Sequence, residues 1–214
     1  MFINLNLKNV VMKKILIAIV VSSLALAAKA QVSFGPKVGG NLSMATTTAT
    51  GVKIDPITFG FNAGGFVNDK FANQFAGKVE LFYSGESIKY KMIGHPTVYT
   101  NNIGYLNIPV LFQFVTNGGF YLETGPQLGF VLSATNTSDS SSASIDIKND
   151  VNSTKFSWCF GLGFGGRKGL GFNIRYAAGL SNVNSTGSGS DKSSILSIGL
   201  FYSLQAKGKT TTAQ

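Results

Sequence analysis

The feature that most constrains the fold is a repeated alternation of apolar and polar residues with a period of two. It recurs in eight segments, at residues 32–44, 57–67, 75–84, 105–114, 120–132, 156–165, 170–181 and 195–204. A period of two is typical of β-strands, and segments of roughly 9 to 13 residues fit tilted strands that cross a membrane. Helical periodicity is absent from these segments. We therefore predict an all-β fold.

The connections between these segments alternate in length. Long polar stretches cover residues 45–55, 85–104, 133–155 and 182–194, and short turns cover 68–73, 116–119 and 166–169. Barrels of the bacterial outer membrane have an even number of strands, short periplasmic turns and long extracellular loops. The pattern predicts an eight-stranded antiparallel up-and-down transmembrane β-barrel, with both mature termini in the periplasm. The serine-rich stretch 138–144 is expected to be a flexible surface segment.

Alternation alone does not decide which face of such a barrel is outside. The apolar face would line a ligand cavity in a soluble barrel, or contact lipid in a membrane barrel. The polar series is mostly Gly, Ser and Asn, and only 13% of the chain is charged, so this series would make a poor water-facing surface. Aromatic residues also lie toward the strand ends, as in membrane-interface girdles. The predicted lipid-facing girdle comprises Phe34, Phe59, Phe75, Tyr83, Phe114, Phe120, Phe130, Phe156, Trp158, Phe172, Tyr176 and Tyr202.

A small set of charged residues falls on the polar faces of the predicted strands. These residues are Lys37, Lys78, Glu80, Glu123 and Arg175. Charges inside a narrow barrel persist only when they are paired and hydrogen-bonded, so we predict an ion-pair network that plugs the lumen. The alternative is that these side chains lie near the rims and are solvated.

The N-terminal residues have the order of a secretory signal. A positive stretch begins at Met12, which is also a candidate start of the chain, and is followed by an apolar run over 15–27 and a small-x-small cleavage motif over 28–30. We predict a signal peptide at 1–30, a barrel at 31–204 and a polar tail at 205–214.

Charge and composition exclude several chemistries. The net charge is +9, and removing the four lysines before residue 31 leaves 14 basic against 9 acidic residues, or +5, too dilute for a nucleic-acid surface. The chain has one histidine, His95, and one cysteine, Cys159, which do not make a typical metal site or a catalytic triad. We expect no enzyme activity, no cofactor and no metal.

Several segments carry motifs beyond the alternation. The run from Asn102 reads Asn-Ile-Gly-Tyr-Leu-Asn-Ile-Pro-Val-Leu-Phe-Gln, and the run from Gly119 reads Gly-Phe-Tyr-Leu-Glu-Thr-Gly-Pro-Gln-Leu-Gly-Phe. Shorter motifs begin at Gly161, Ile174 and Ile198. Together they resemble the PorT-like outer-membrane β-barrel family of Bacteroidota, whose strands include a YLEIPLLLK-type pattern. The resemblance implies the barrel rather than an activity, because a few members are linked to type IX secretion and gliding and most have no assigned role. Within the run from Asn102, this chain has Asn107 where the family frequently has an acidic residue.

The expected function is that of a non-catalytic integral outer-membrane barrel. Its long loops, with Lys89, Tyr90, Lys91 and Tyr99, would contact a surface ligand or support envelope integrity. Two alternatives remain open: a small transport or secretion-associated barrel, and a soluble periplasmic ligand-binding barrel. Expected partners are outer-membrane lipid, the barrel-assembly machinery, and a surface ligand or a secretion-system component.

Overall fold

The computed structural model describes residues 31–46, 51–55, 57–94, 97–165, 168–182 and 192–205. The predicted signal peptide, His95, most of the stretch 182–194 and the polar tail beyond residue 205 lie outside these residues. Within them the chain forms ten strands: β1 (Gln31–Thr46), β2 (Val52–Ile54), β3 (Thr58–Lys70), β4 (Phe75–Met92), β5 (Val98–Val115), β6 (Phe120–Ser138), β7 (Ser141–Asp146), β8 (Thr154–Phe164), β9 (Gly169–Gly179) and β10 (Lys192–Gln205).

A single 3-10 turn, Lys148–Asp150, is the other regular element of the described residues. In this part of the chain, no helix is long and apolar enough to cross a membrane. The predicted all-β fold is confirmed.

All ten strands belong to one antiparallel sheet. Its order is β2-β4-β3-β1-β10-β9-β8-β6-β5, with β7 paired to β6. Strand β4 also pairs with β5, and this pairing closes the sheet into a ring. Each strand of the ring pairs with two ring neighbours, in the order β1, β3, β4, β5, β6, β8, β9 and β10. The first and last strands pair directly, over Ser33 to Thr46 of β1.

The structure has more strand than the sequence predicted. Strands β2 and β7 lie inside stretches 45–55 and 133–155, which were predicted as loops, and β4 and β5 together occupy most of 85–104. The serine-rich stretch also contributes to β7, which pairs with β6. The prediction failed here because these strands have no continuous apolar face. Their Thr, Tyr, Val and Ser residues favour extended backbone, and neighbouring strands satisfy the backbone hydrogen bonds.

Side chains alternate between the inside and the outside of the ring. Along β6 burial alternates from Phe120 to Leu132, with Leu122 and Leu128 among the exposed side chains and Glu123 and Gln127 among the buried ones. Among the described residues, buried polar and charged side chains outnumber buried apolar ones, while large exposed apolar residues occur on every strand of the ring. The interior is therefore polar and the exterior apolar, which is the reverse of a water-soluble fold.

The ladder between β1 and β10 requires a glycine. A Cβ atom built on Gly35 would lie 1.7 Å from the backbone oxygen of Tyr202, so no larger residue fits without a shift of the strands. Gly40, on the same strand, faces outward and has no atom closer than 4.0 Å to its built Cβ. The close approach of neighbouring strands thus requires glycine at position 35 but not at position 40.

Candidate functional site

All five predicted lumen charges meet in one cluster inside the ring. Lys37 comes from β1, Lys78 and Glu80 from β4, Glu123 from β6 and Arg175 from β9. Each is at most 4% exposed. We call this set the central cluster.

Glu80 is the centre of the cluster. Its Oε2 atom accepts from Lys37 Nζ at 2.9 Å and from Arg175 Nη1 at 2.7 Å. Its Oε1 atom lies 2.8 Å from Lys78 Nζ and 2.8 Å from Arg175 Nη2. One carboxylate therefore binds three cations, and the two-point contact with the guanidinium fixes the orientation of both groups.

Glu123 completes the cluster from the opposite side of Arg175. Its Oε1 atom accepts from Arg175 Nη2 at 2.6 Å and from Arg175 Nε at 2.8 Å. Gln113 Nε2 donates to Glu123 Oε2 at 2.9 Å, and Asn68 donates in turn to Gln113 Oε1. The hydrogen bonds extend the cluster toward the short-turn end of the ring.

The central cluster is not electrically neutral. Three cations face two carboxylates, which leaves one excess positive charge among buried groups. Aromatic rings offset part of it, because Lys78 Nζ lies 4.9 Å from the Phe66 ring centroid and 5.2 Å from that of Phe201.

A second buried ion pair lies further along the interior. Lys155 Nζ is 2.7 Å from Glu86 Oε2 and 5.0 Å from the ring centroid of Tyr105. Sequence reasoning missed this pair, because Glu86 and Lys155 fell in stretches predicted as loops. A signal was available for Glu86, which continues the inward series of β4 six residues after Glu80.

Amide and hydroxyl side chains also fill the interior. Asn41 Nδ2 donates to Ser84 Oγ at 2.8 Å, and Asn62 Nδ2 donates to Asn41 Oδ1 at 2.6 Å. Several buried polar atoms have no hydrogen-bond partner within the described part of the chain, among them Ser157 Oγ and both side-chain polar atoms of Asn173. Such groups in a polar interior are ordinarily satisfied by ordered water. Side chains and ion pairs thus occupy the lumen at two levels.

The predicted aromatic girdle lies on the outer face of the ring. Eleven of its twelve members are 37–81% exposed, and Tyr83 is half-buried. The structure also exposes aromatic residues that the prediction did not include in the girdle, such as Phe61 and Phe112.

Three neighbouring strands extend beyond the rest of the ring. Strands β4, β5 and β6 have 18, 18 and 19 residues, whereas β8 and β9 have 11 each. The extensions, with β2 on β4 and β7 on β6, form a five-stranded sheet that we call the projecting sheet. Tyr90 and Tyr99 stack on its inner side with centroids 5.4 Å apart, and Asn136 donates to the Tyr90 hydroxyl at 3.0 Å.

The projecting sheet carries a group of exposed lysines. Lys53 on β2 lies directly opposite Lys91 on β4, and Lys89 is two residues earlier on the same face. Asp55 is the acidic neighbour, and its backbone N–H donates to the Lys89 carbonyl at 2.9 Å. Like charges directly opposite on paired strands are destabilising, so this arrangement is not explained by the fold alone.

The described residues contain no group of three or more His, Cys, Asp or Glu side chains that would hold a metal ion. Cys159 is a buried free thiol on β8, hydrogen-bonded to Gln127 Oε1 at 3.4 Å. The structure thus gives no metal centre within the part of the chain it describes.

A ring of antiparallel strands with an apolar exterior and a charged interior is the architecture of a membrane barrel. The sequence model of the family described as "Outer membrane protein beta-barrel domain" matches residues 26–185. The chain belongs to this family. The family places this barrel in the bacterial outer membrane, and the match ends before β10, which closes the ring onto β1.

The fold is similar to that of a solved outer-membrane protein structure at low sequence identity. Neisserial surface protein A (NspA) is 13% identical, with a TM-score of 0.51, covering 79% of this chain and 96% of the other. Ail, the attachment invasion locus protein of Yersinia pestis, is 16% identical with a TM-score of 0.46, covering 81% and 99%. Comparison with curated protein sequences gives no match.

Proposed function

We propose that this outer-membrane barrel is a non-catalytic surface protein whose projecting sheet binds an anionic polymer outside the cell. In this proposal the eight strands of the ring cross the membrane, the aromatic girdle contacts lipid, and the short turns and both mature termini are periplasmic. The long hairpins are then extracellular, as the strand lengths favour.

The observation that carries the proposal is the lysine group on the projecting sheet. Lys53 and Lys91 are exposed and directly opposite, with Lys89 beside them. An unbound protein bears the repulsion between these ammonium groups, and a polymer with repeated negative charges would relieve it.

The height of the lysines favours a partner outside the membrane. On the outward face of β4 the apolar residues stop at Tyr83, and Lys89 follows six residues later. At ~3.3 Å per residue and a tilt of ~40°, this distance is about 20 Å along the strand and about 15 Å in height. The ammonium groups would therefore stand clear of the membrane interface, where a soluble or cell-bound polymer reaches them.

The interior supports an anchor rather than a transporter. The central cluster and the Glu86–Lys155 pair occupy the lumen at two levels, and eight strands enclose a space that side chains fill. The soluble periplasmic alternative is not favoured, because the exposed apolar exterior and the family both support membrane insertion.

Two finer assignments belong to the proposal. The motif runs beginning at Asn102 and Gly119 support placement in the PorT-like branch of Bacteroidota, with the barrel-assembly machinery as a partner in biogenesis. The absence of catalysis is supported by the single histidine and single cysteine of the sequence, which leave few candidate bases and nucleophiles.

The test is binding of dextran sulfate to the barrel reconstituted in lipid vesicles. Replacing Lys53, Lys89 and Lys91 with Gln together should weaken binding about tenfold, since exposed charge contacts contribute roughly 0.5 kcal/mol each. Lys168→Gln, an exposed lysine at the short-turn end, is the control and should bind as the wild type does. Equal binding by the triple variant, equal binding of neutral dextran, or no binding would refute the proposal.

Orientation is checked on whole cells with a membrane-impermeant maleimide. A Lys91→Cys variant should be labelled, and the wild type should not, because its Cys159 is buried. Labelling only after the cells are broken would place the projecting sheet in the periplasm.

A further inference from the structure

A cavity of about 280 Å³ opens at the short-turn end of the lumen, away from the projecting sheet. This volume is near the lower end of the range for small-molecule pockets. Its lining includes Phe66, Lys70, Lys78, Tyr121 and Phe201. We call it the short-turn pocket.

The charges of the pocket lining have one sign. Among the described residues, Lys70 and Lys78 line it and no Asp or Glu does. Lys78 is 3% exposed and lies 2.8 Å from Glu80, but 4.0 Å from Glu123, so only the first distance is that of a hydrogen bond. An ammonium group has three donors, which leaves Lys78 able to donate into the pocket.

A second buried group offers an unused polar atom in the same pocket. Tyr121 is 4% exposed, and its hydroxyl has no hydrogen-bond partner among the described residues. Leaving a buried hydroxyl unpaired is costly, so this atom is suited to a ligand or an ordered water. The Tyr121 ring centroid lies 5.8 Å from Lys78 Nζ, and both residues line the pocket.

The pocket also has an apolar side. Phe66 and Phe201 pack edge to face with centroids 5.5 Å apart, and Tyr121 lies 6.4 Å from Phe201. A ligand with a charged head and a flat apolar body would place the head near Lys78 and the body against these rings.

The charge of the central cluster gives an independent reason to expect an anion. The three buried cations exceed the two carboxylates by one, and Lys78 is the cation that lines the pocket. A single negative charge bound at Lys78 would make the cluster with its ligand neutral. Neutral groups of charges are favoured in a buried, weakly polarisable interior.

We propose that the short-turn pocket binds a small organic anion, with a carboxylate or phosphate head at Lys78 and Tyr121 and an apolar body on Phe66 and Phe201. This site is separate from the projecting sheet and does not depend on the function proposed for that sheet. Under the opposite orientation of the barrel the site would remain, and only the compartment supplying the ligand would change.

The test is isothermal titration calorimetry of the barrel in detergent micelles, with benzoate and inorganic phosphate as probes. Benzoate should bind, and phosphate should bind more weakly because it lacks an apolar body. Lys78→Met should reduce benzoate affinity at least tenfold, and Tyr121→Phe about fivefold. The matched control is Lys37→Met, which removes another ammonium from Glu80 but does not line the pocket. Because it also removes the excess charge, it should weaken benzoate binding, but clearly less than Lys78→Met, which loses both the charge and the contact with the ligand.

Each alternative outcome overturns the proposal. No measurable binding of either probe to the wild type would show that the pocket takes no such anion. Equal losses in Lys37→Met and Lys78→Met would show that binding follows the charge of the central cluster and not contact in the pocket. If Lys78→Met does not assemble, Tyr121→Phe decides, and an unchanged affinity in that variant would count against the site.

Discussion

The excess positive charge of the central cluster predicts that its members contribute unequally to stability. Glu80→Gln removes a negative charge and leaves a buried excess of two positive charges. Lys37→Met removes a positive charge and leaves two cations with two carboxylates. We expect Glu80→Gln to be much more destabilising, although both variants disrupt the same 2.9 Å contact.

The size of the difference follows from the contacts of each side chain. Glu80 accepts from three cations at 2.7–2.9 Å, whereas Lys37 contributes one of these contacts. Removing one partner of a buried pair costs about 3 to 5 kcal/mol, and the three contacts of Glu80 put its loss at about 5 kcal/mol. The Lys37 variant loses one charge-assisted hydrogen bond, worth about 2 kcal/mol, and is relieved of a buried charge. The expected difference is therefore about 3 kcal/mol or more.

The assay is urea denaturation of the barrel in detergent. At each urea concentration, the folded fraction is measured as the fraction of unheated protein that migrates in the compact form on a gel. With a slope of about 2 to 3 kcal/mol per molar, the midpoint of Glu80→Gln should lie at least about 1 M below that of Lys37→Met. Equal midpoints, or a lower midpoint for Lys37→Met, would refute the charge-balance argument. Glu123→Gln, which frees one side of Arg175, should fall between the two.

Two further predictions concern the ring and the second ion pair. Gly35→Ala should lower the free energy of unfolding by about 3 kcal/mol or prevent formation of the compact gel form, because its Cβ would overlap the neighbouring backbone. Gly40→Ala is the control and should migrate as the wild type does. Compact migration of both variants would show that the close approach of the strands does not require a glycine. Lys155→Met should lower stability by about 3 kcal/mol by leaving Glu86 buried without its cation, and adding Glu86→Gln should recover at least about 1 kcal/mol in the same denaturation assay. Additive losses in that double variant would mean that the two side chains do not act as a pair.

The alternation was sufficient to predict the eight long strands and the inward direction of five charged residues. It worked because each of these strands has a lipid-compatible face and a polar face, so that period two is visible in the sequence. The apolar residues on either side of Glu80 and Arg175 in the sequence were therefore enough to predict that both side chains point into the barrel. Their mutual contact, between residues 95 apart in the chain, depends on the width and register of the ring, which alternation does not contain.

The projecting sheet was not predicted, for a physical reason. Beyond Tyr83 on β4 and Leu132 on β6 the outward face of each strand is polar or small, so the lipid-compatible half of the alternation disappears while the backbone pairing continues. The Glu86–Lys155 pair was not predicted for the same reason, because both residues lie at the ends of stretches predicted as loops. The short-turn pocket is likewise a product of packing, because its lining comes from the ends of strands far apart in sequence.

The position of Arg175 has a consequence for how the barrel would open sideways. Separating β1 from β10 would swing β6, β8, β9 and β10 away from β1, β3, β4 and β5, with the β5–β6 pairing as the hinge. Arg175 and Glu123 would move with one half, and Lys37, Lys78 and Glu80 with the other. The two-point contact between Arg175 and Glu80 therefore joins the two halves and must break before the strands can separate. The buried charges therefore oppose lateral opening of the barrel, and unfolding that begins by separating β1 from β10 has to break them as well as the backbone pairing.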